Sequence, residues 1–413
     1  MIILISHILH LQTYEKYYLM KQNTSTSPFL PILIFILNKG LLERSAFRHE
    51  VSGHYFIYLT ALSITLMQYK NHIQNNPAIP MISIAMPAYN AGTYIEESIK
   101  SIISQTYTRW ELIICDDGST DNTIDIINNY QQEYPNIKLI KRIKNSGSAR
   151  LPRFDAILIA EGDYVCPIDS DDTIEKSYLE KLIKRQKETD ADIVLGKMIY
   201  CDQSLNPIGR TIPIPSYDTS AIISGREGCK RTIGKWEIAL GGLLSRTCLY
   251  KSYIEKYYKD TKYNSIYLDE LDQRRLLMEA DSISMTNAEY FYRQHSESVV
   301  HSIRINSFRS LITNKDLLIF VINTFKEEKD VLQKMYNDYF NKVYRAEQRF
   351  QIFHNTYNKE EIKEIDNLIK TNYHTIKERN LKFSNFKYII LSKSFFIFRL
   401  YIKVISIIIR LKS

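Results

Sequence analysis

Asp169-Ser170-Asp171-Asp172 sets three carboxylates directly behind the apolar run Val165-Cys166-Pro167-Ile168. Carboxylates so crowded repel one another unless a cation sits among them, and hard divalent ions such as Mg²⁺ or Mn²⁺ take oxygen ligands. A strand that stops at Asp-x-Asp aims alternate carboxylates at one point. The competing reading is a solvated acidic turn that caps a helix starting near Ile174. A second acidic turn, Asp116-Asp117-Gly118-Ser119-Thr120-Asp121, follows another apolar strand at 111–115, so two strand ends point to one shared pocket. Within it Ser119 or Thr120 serves equally well as a helix cap. A third acidic cluster, Asp269-Glu270-Leu271-Asp272, precedes Arg274-Arg275-Leu276. On a helix Asp269 and Asp272 share a face while Glu270 points elsewhere, and the bland alternative is a salt-bridged helix start with Arg275 as partner.

The elements that must position these groups are legible as periodicity. Residues 82–86 read as a buried strand closed by a turn at 87–92, and 96–105 as a helix with Ile99, Ile102 and Ile103 on one face. A strand at 111–115, a helix at 123–134 and a strand at 137–140 follow. Strands alternating with helices at this spacing predict an α/β domain with a mostly parallel sheet covered on both faces. In such a sheet ligands sit beyond the carboxyl ends of the strands, where all the acidic turns lie. Farther on, 176–188 reads as an amphipathic helix, 193–195 as a strand and the Pro- and Gly-rich 207–216 as a loop. Trp236 is either an exposed stacking ring for a ligand or core, with core preferred. Helices of mixed charge are expected at 308–326, 329–353 and 359–377.

Composition narrows the class. With 413 residues, 24% charged and 45% hydrophobic, the chain is long enough for a large core and an appendage. Lys and Arg exceed Asp and Glu by 54 to 46, and the excess gathers in 386–413, which contains no carboxylate. Basic residues punctuate that segment too often for a membrane span, so peripheral contact with an anionic leaflet is expected, against plain packing on the catalytic domain. The five cysteines form no Cys-x-x-Cys pair and read as buried hydrophobes of a reducing compartment. Residues 1–80 fit nothing that follows. Their apolar runs, 29–37 and 55–67, fall short of the ~20 residues that a spanning helix needs. They read as a poorly ordered extension, with the functional protein beginning at Met67 or Met81.

Six motifs in order resemble the family 2 glycosyltransferases: Met86-Pro87-Ala88-Tyr89-Asn90, Gln105-Thr106-Tyr107, Trp110-Glu111-Leu112, Asp116 to Asp121, Gly162-Asp163-Tyr164 and Asp169 to Asp172. The resemblance covers roughly 81–300. It implies a GT-A nucleotide-sugar-binding, Rossmann-like fold followed by a helical region at 301–385 and the basic segment. It implies an inverting, metal-dependent transfer from a nucleotide-sugar, a uridine diphosphate sugar, of hexosyl or N-acetylhexosaminyl type. By position, Pro87 and Tyr89 line the base pocket, Asp117 meets the uracil edge, and Asn90, Asp116 and Ser170 complete the donor set. Asp169 and Asp171 match the pair that bridges ribose and the metal-bound diphosphate. Asp172 is a donor-sugar or supporting candidate. Where relatives carry Asn-x-Gly and Ala-Arg-Asn-x-Gly, this chain keeps Asn145, Gly147 and an Arg, and either Arg150 or Arg153 meets the nucleotide. An acidic pair six residues before Arg-Leu lands on Asp269 as general base, with Glu270 and Asp272 as alternates. His295, in Tyr292-Arg293-Gln294-His295, is a third metal candidate, and Arg293 a phosphate candidate.

The expected partners are a nucleotide-sugar and a glycan or lipid-linked acceptor of bacterial surface polysaccharide synthesis, with Mn²⁺ or Mg²⁺ as cofactor. The expected location is cytoplasmic, peripheral at the inner face of the membrane. Nucleic acid is not an expected partner, because no basic stripe with interleaved aromatics crosses 81–300. A sugar nucleotidyltransferase would also join a nucleotide pocket to metal-binding acids, but the Gly-rich, Lys-bearing phosphate loop is absent from the sequence. A non-catalytic membrane scaffold on a decayed transferase fold is the other alternative, and intact carboxylates at all the acidic clusters argue against it.

Overall fold

A parallel strand buried on both faces needs an apolar residue at nearly every position. Strands β1 (Ile82–Ala88) and β2 (Trp110–Asp116) meet that demand with every residue buried. Side chains alternate between the faces: Ile82, Ile84 and Met86 join Leu112 and Ile114 in one apolar cluster, and Ala85, Ile113 and Cys115 join Phe154 and Ile157 in another. The computed structural model describes residues 79–213, 220–258, 268–295, 305–379, 381–383 and 385–412. The expected extension over 1–80 lies outside them apart from its last two residues.

The remaining strands are β3 (Ile137–Lys141), β4 (Tyr164–Pro167), β5 (Thr173–Ile174), β6 (Ile193–Cys201), β7 (Pro207–Ile212), β8 (Leu244–Arg246) and β9 (Ile283–Arg293). Helices α1 (Ile95–Ile103), α2 (Thr123–Glu133) and α3 (Arg150–Leu158) are the crossovers between β1, β2, β3 and β4. They are followed by α4 (Tyr178–Thr189), α5 (Gly225–Lys230), α6 (Thr247–Tyr257) and α7 (Leu268–Glu279). The sheet order is β3-β2-β1-β4-β8-β6-β9-β5, with β7 paired to β6. β3, β2, β1 and β4 run parallel, as do β6 and β9, while β5, β7 and β8 enter antiparallel.

After β3 the chain returns to the far side of β1, so the strand order reverses between β1 and β4. Open α/β sheets bind ligands in the crevice that such a reversal leaves between adjacent strand ends. The register sets the strand ends side by side: Ala88 faces Asp116 and Ala85 faces Pro167. Two expectations are corrected. Residues 207–212 are a hairpin strand rather than loop: the chain turns back through 202–206, and Gly209 at φ +77° lies within β7 where its register with β6 shifts, and 214–219 lie outside the described residues. The acidic turn leads into the short strand β5, not a helix, and α4 begins only at Tyr178. β1 also runs on through Pro87, past the end of its ladder with β4, where the missing N–H costs nothing on that side.

Three long helices follow, α8 (Asn306–Thr324), α9 (Lys329–Phe353) and α10 (Lys359–Glu378), then α11 (Phe386–Leu391) and α12 (Phe395–Lys412). Asn358 and Glu361 form a capping box at the start of α10. One apolar cluster runs from Leu276 and Leu277 of α7 through Phe308 and Leu318 of α8 to Tyr339 and Phe340 of α9. Pro80–Ser413 accordingly forms one compact unit.

α12 is fastened to this bundle by charge as well as by Phe398 and Ile402, both fully buried. Glu347 of α9 has no exposed side-chain surface; Arg399 Nε and Nη2 each lie 3.2 Å from its Oε2, Gln351 donates to its Oε1 at 2.6 Å, and Arg399 also pairs with Asp366. Burial pushes the Glu347 carboxyl up, with Arg399 acting against that shift. Removing one partner of a buried pair strands the other. Arg399→Met should therefore cost about 3 kcal/mol in urea unfolding, and adding Glu347→Gln should recover most of it.

Candidate active site

The ends of β1 and β2 are sewn together by short polar side chains. Asn90, at φ +47°, accepts from Thr120 N at 2.8 Å, and its own N–H donates to Ser119 Oγ at 2.9 Å. Ser119 and Thr120 thus join two turns, and the helix-cap alternative fails: no side chain caps Asn122, while Asp121 takes the Thr123 N–H and hydroxyl. Asp116 Oδ2 accepts from the N–H groups of Gly118 and Ser119, both at 3.1 Å, which shapes its own turn. Asp117 is buried; its Oδ2 accepts from Ser146 N and Oγ at 2.9 and 2.8 Å. Arg142 Nε lies 2.9 Å from Asp117 Oδ1, close enough for charge pairing though not aligned as a hydrogen bond. Tyr89, half exposed, is the freest side chain of the expected base pocket, while Pro87 is buried inside β1.

In the acidic turn each carboxylate has a different environment. Asp169 is partly exposed and its Oδ1 receives Arg153 Nη2 at 2.7 Å. Asp171, also partly exposed, has its Oδ2 3.1 Å from His295 Nε2, and the His295 ring lies against Tyr94. Asp172 is buried: its Oδ2 accepts from Tyr290 Oη at 2.6 Å and its Oδ1 from Arg293 N at 2.8 Å. Desolvation, then Asp171 and Asp169, raise the Asp172 carboxyl well above the ordinary range. Of the two roles expected for Asp172, these contacts are those of the supporting one. Ser170 contributes its carbonyl, which accepts from Ser98 Oγ at 2.9 Å.

Arg293 is likewise engaged inside the protein and not available for a phosphate. Its Nε donates to Asp171 O at 2.8 Å, its Nη1 to Gln203 O at 2.7 Å and its Nη2 to Glu97 at 2.5 Å. Arg293 was marked by sequence for a phosphate rather than for holding the turn, and Tyr290 and Tyr94, which act with it, were invisible as site residues because nothing local marks them.

A small crevice opens beside Asp169, lined among others by Arg153, Gly242, Tyr250, Gln273 and Tyr290. Its Gly242 wall, at φ +66°, lies so close to Tyr178 and Tyr290 that an added Cβ would meet each at 2.5 Å. The two candidate arginines separate. Arg153 faces the crevice, whereas Arg150 is buried with its Nε 2.5 Å from Asp272 Oδ2 and its Nη2 donating to Tyr257 O at 2.9 Å.

That pairing also removes Asp272 as an alternate base, since its other oxygen accepts from Tyr253 Oη at 2.5 Å. Burial opposes ionisation of Glu270, but Lys342 and Arg274 outweigh it and hold the carboxyl below the usual range, which unfits it to take up a proton. Asp269 lies in the first turn of α7, and its side chain is outside the described residues. Gln273, one turn farther along the same face, was not singled out by sequence although the i, i+4 spacing links it to Asp269. Trp236 packs on the core with the Arg274 guanidinium 4.3 Å from its ring centre, so that face is closed to a sugar.

A divalent ion fits this donor set in one way. Asp171 and His295 stand together with Asp169 on the same turn, yet among the described residues no three His, Cys, Asp or Glu side chains close around a point. An open set of this kind suits a hard cation completed by water and substrate oxygens rather than a protein-only cage.

Residues 83–243 match the family model described as glycosyl transferase family 2. Over that stretch the chain is similar to the family 2 glycosyltransferases. The chain is 43% identical over 119 residues to the poly(ribitol-phosphate) beta-glucosyltransferase of Bacillus spizizenii, a stretch covering 28% of this chain and 19% of that protein. It is 27% identical over 230 residues to the glycosyltransferase GlyG of Streptococcus pneumoniae, covering 54% of this chain and 73% of the relative. Among solved structures, S. aureus TarS superposes with a TM-score of 0.49 at 20% identity, covering 73% of this chain and 55% of that one. The chain thus spans about a fifth of the first relative. The glycosyltransferase fold is GT-A, as the motifs led one to expect, with the C-terminal helices appended.

The structural role of Asp172 has a direct consequence. Asp172→Ala leaves a buried hydroxyl and N–H unpaired and should cost about 2 kcal/mol in thermal or urea unfolding. Asp172→Asn, which mimics the neutral carboxyl, should cost less than half of that.

Proposed function

We propose that this glycosyltransferase transfers a hexosyl or N-acetylhexosaminyl group, with inversion, from a uridine diphosphate sugar to a hydroxyl of a glycan or lipid-linked acceptor in surface polysaccharide synthesis. The observation that carries the proposal is the shared crevice of Arg153, Asp169 and Gln273. It brings the acidic turn after β4 and Gln273 of α7 to one space, and the i, i+4 spacing of Asp269 and Gln273 supports Asp269 as the base on that side. The named activity of the Bacillus relative supports a polymer acceptor.

In this reading catalysis belongs to 81–300. Tyr89 and the Asn90–Thr120 corner receive the base, and Arg153 offsets charge on the departing diphosphate. Asp171, Asp169 and His295 would hold the divalent ion, which supplies electrostatic stabilisation of the leaving group when bound. The acceptor oxygen attacks the anomeric carbon from the face opposite the phosphate; the carbon–oxygen bond to phosphate breaks, and the hydroxyl proton passes to Asp269. Such a base contributes on the order of 10²–10⁴ in rate. The enzyme works at the inner face of the cytoplasmic membrane, in peripheral contact through 386–413.

The test is a panel of nucleotide-sugars assayed for hydrolysis and transfer with Mn²⁺ or Mg²⁺, together with calorimetric donor binding. Asp171→Ala should weaken metal-dependent donor binding at least about tenfold, while Asp269→Asn keeps donor affinity and loses roughly a thousandfold in transfer. Equal donor affinity in the wild type and Asp171→Ala would refute the metal assignment. Full transfer by Asp269→Asn would remove the base.

A further inference from the structure

Most of the large apolar side chains exposed among the described residues lie in 386–409, and their arrangement around α12 is not random. At about 100° per residue the helix divides into three sectors. Phe398, Ile402 and Ser406, buried at i, i+4 and i+8, form the seam against the bundle. Phe396, Leu400, Val404 and Ile407 make an exposed apolar line, with Ile397, Tyr401 and Ile408 beside it. Together these seven span about 140° of helix with no charged residue in the arc. Lys403 and the position of Arg410 border the arc on one side and the position of Lys412 on the other. α11 continues the apolar surface with Phe386, Ile389 and Ile390, all exposed.

Two features select the occupant. Residues 386–413 contain six Lys or Arg and no Asp or Glu, and Lys393 and Lys403 are exposed without a partner among the described residues. A protein groove covering an apolar arc would not require uniformly cationic borders, whereas anionic headgroups do. The 18-residue α12 is not apolar enough to cross a membrane, and none of the described helices is. A helix with a wide apolar arc, cationic borders and a third sector fixed to its own protein lies in the plane of the interface.

We infer that α12, with α11, inserts this arc edge-on into the acyl boundary of an anionic lipid leaflet while its Phe398–Ile402–Ser406 seam stays on the bundle. The inference rests on the peripheral contact proposed above and specifies its face, its depth and its headgroup charge; it is independent of the sugar-transfer chemistry.

Sedimentation of the full chain with phosphatidylcholine vesicles, with and without phosphatidylglycerol, tests it. Binding is expected to the anionic vesicles and to fall with added salt. Phe396→Asp/Leu400→Asp alters exposed positions only and should weaken binding at least about 100-fold. Lys393→Gln/Lys403→Gln should weaken it about thirtyfold. Nucleotide-sugar hydrolysis, measured on the same preparations, should be unchanged by either pair, and vesicle binding by a chain that hydrolyses no donor would leave this inference standing while the catalytic proposal fell. No binding by the wild type, binding unaffected by the aspartates, or an oligomer in analytical ultracentrifugation that dissociates in Phe396→Asp/Leu400→Asp without any vesicle binding would overturn it.

Discussion

A buried carboxylate holds the acidic turn in shape. Asp172 is shut away from water between Tyr290 Oη and Arg293 N, and the resulting bonds tie the end of β4 to β9 across more than a hundred residues of chain. Three carboxylates in four residues would otherwise splay apart. Turning one inward, in an environment that favours its neutral form, relieves the repulsion and leaves Asp169 and Asp171 directed outward. Arg293 reinforces the arrangement by reading the Asp171 carbonyl and Glu97 at once. The geometry of the outward pair is thus set by the inward one.

Around that turn the sheet does the positioning. The reversal of strand order between β1 and β4 brings Asn90, Asp117 and Asp169 to one edge, and the short antiparallel β8 and its Gly241-Gly242 turn close the crevice from the other side. α3 divides its two arginines by function: Arg153 reaches the solvent-facing turn, and Arg150, one turn earlier, anchors α7. A single helix therefore serves both the ligand side and the structural side of the site.

What sequence could show follows from this division. Near-continuous apolar runs announced β1 and β2, and Pro-Ala-Tyr-Asn and Asp-Asp-Gly-Ser-Thr marked their ends, because strand burial and turn chemistry are local properties. The fate of individual carboxylates is not local. Whether Asp169, Asp171 or Asp172 turns inward depends on Tyr290 and Arg293, and whether Glu270 or Asp272 stays free depends on Lys342, Arg150 and Tyr253. The strand β7 was hidden by its Pro and Gly content, since a strand that opens on Pro207 and shifts register at Gly209 uses the residues that otherwise signal loop. Gln273 carried no motif, and only its spacing from Asp269 and its place in the crevice give it meaning.

The pair between Arg150 and Asp272 also bears on the order in which the polypeptide can mature during synthesis. The two residues are 122 positions apart, and both are buried when joined. A ribosome that has delivered β1 through β4 and α3 has not yet made the carboxylate that neutralises Arg150. Until α7 emerges, the early half of the sheet must keep that guanidinium in water, with α3 held off or only loosely seated. Completion of the early half of the sheet is therefore deferred to the arrival of α7.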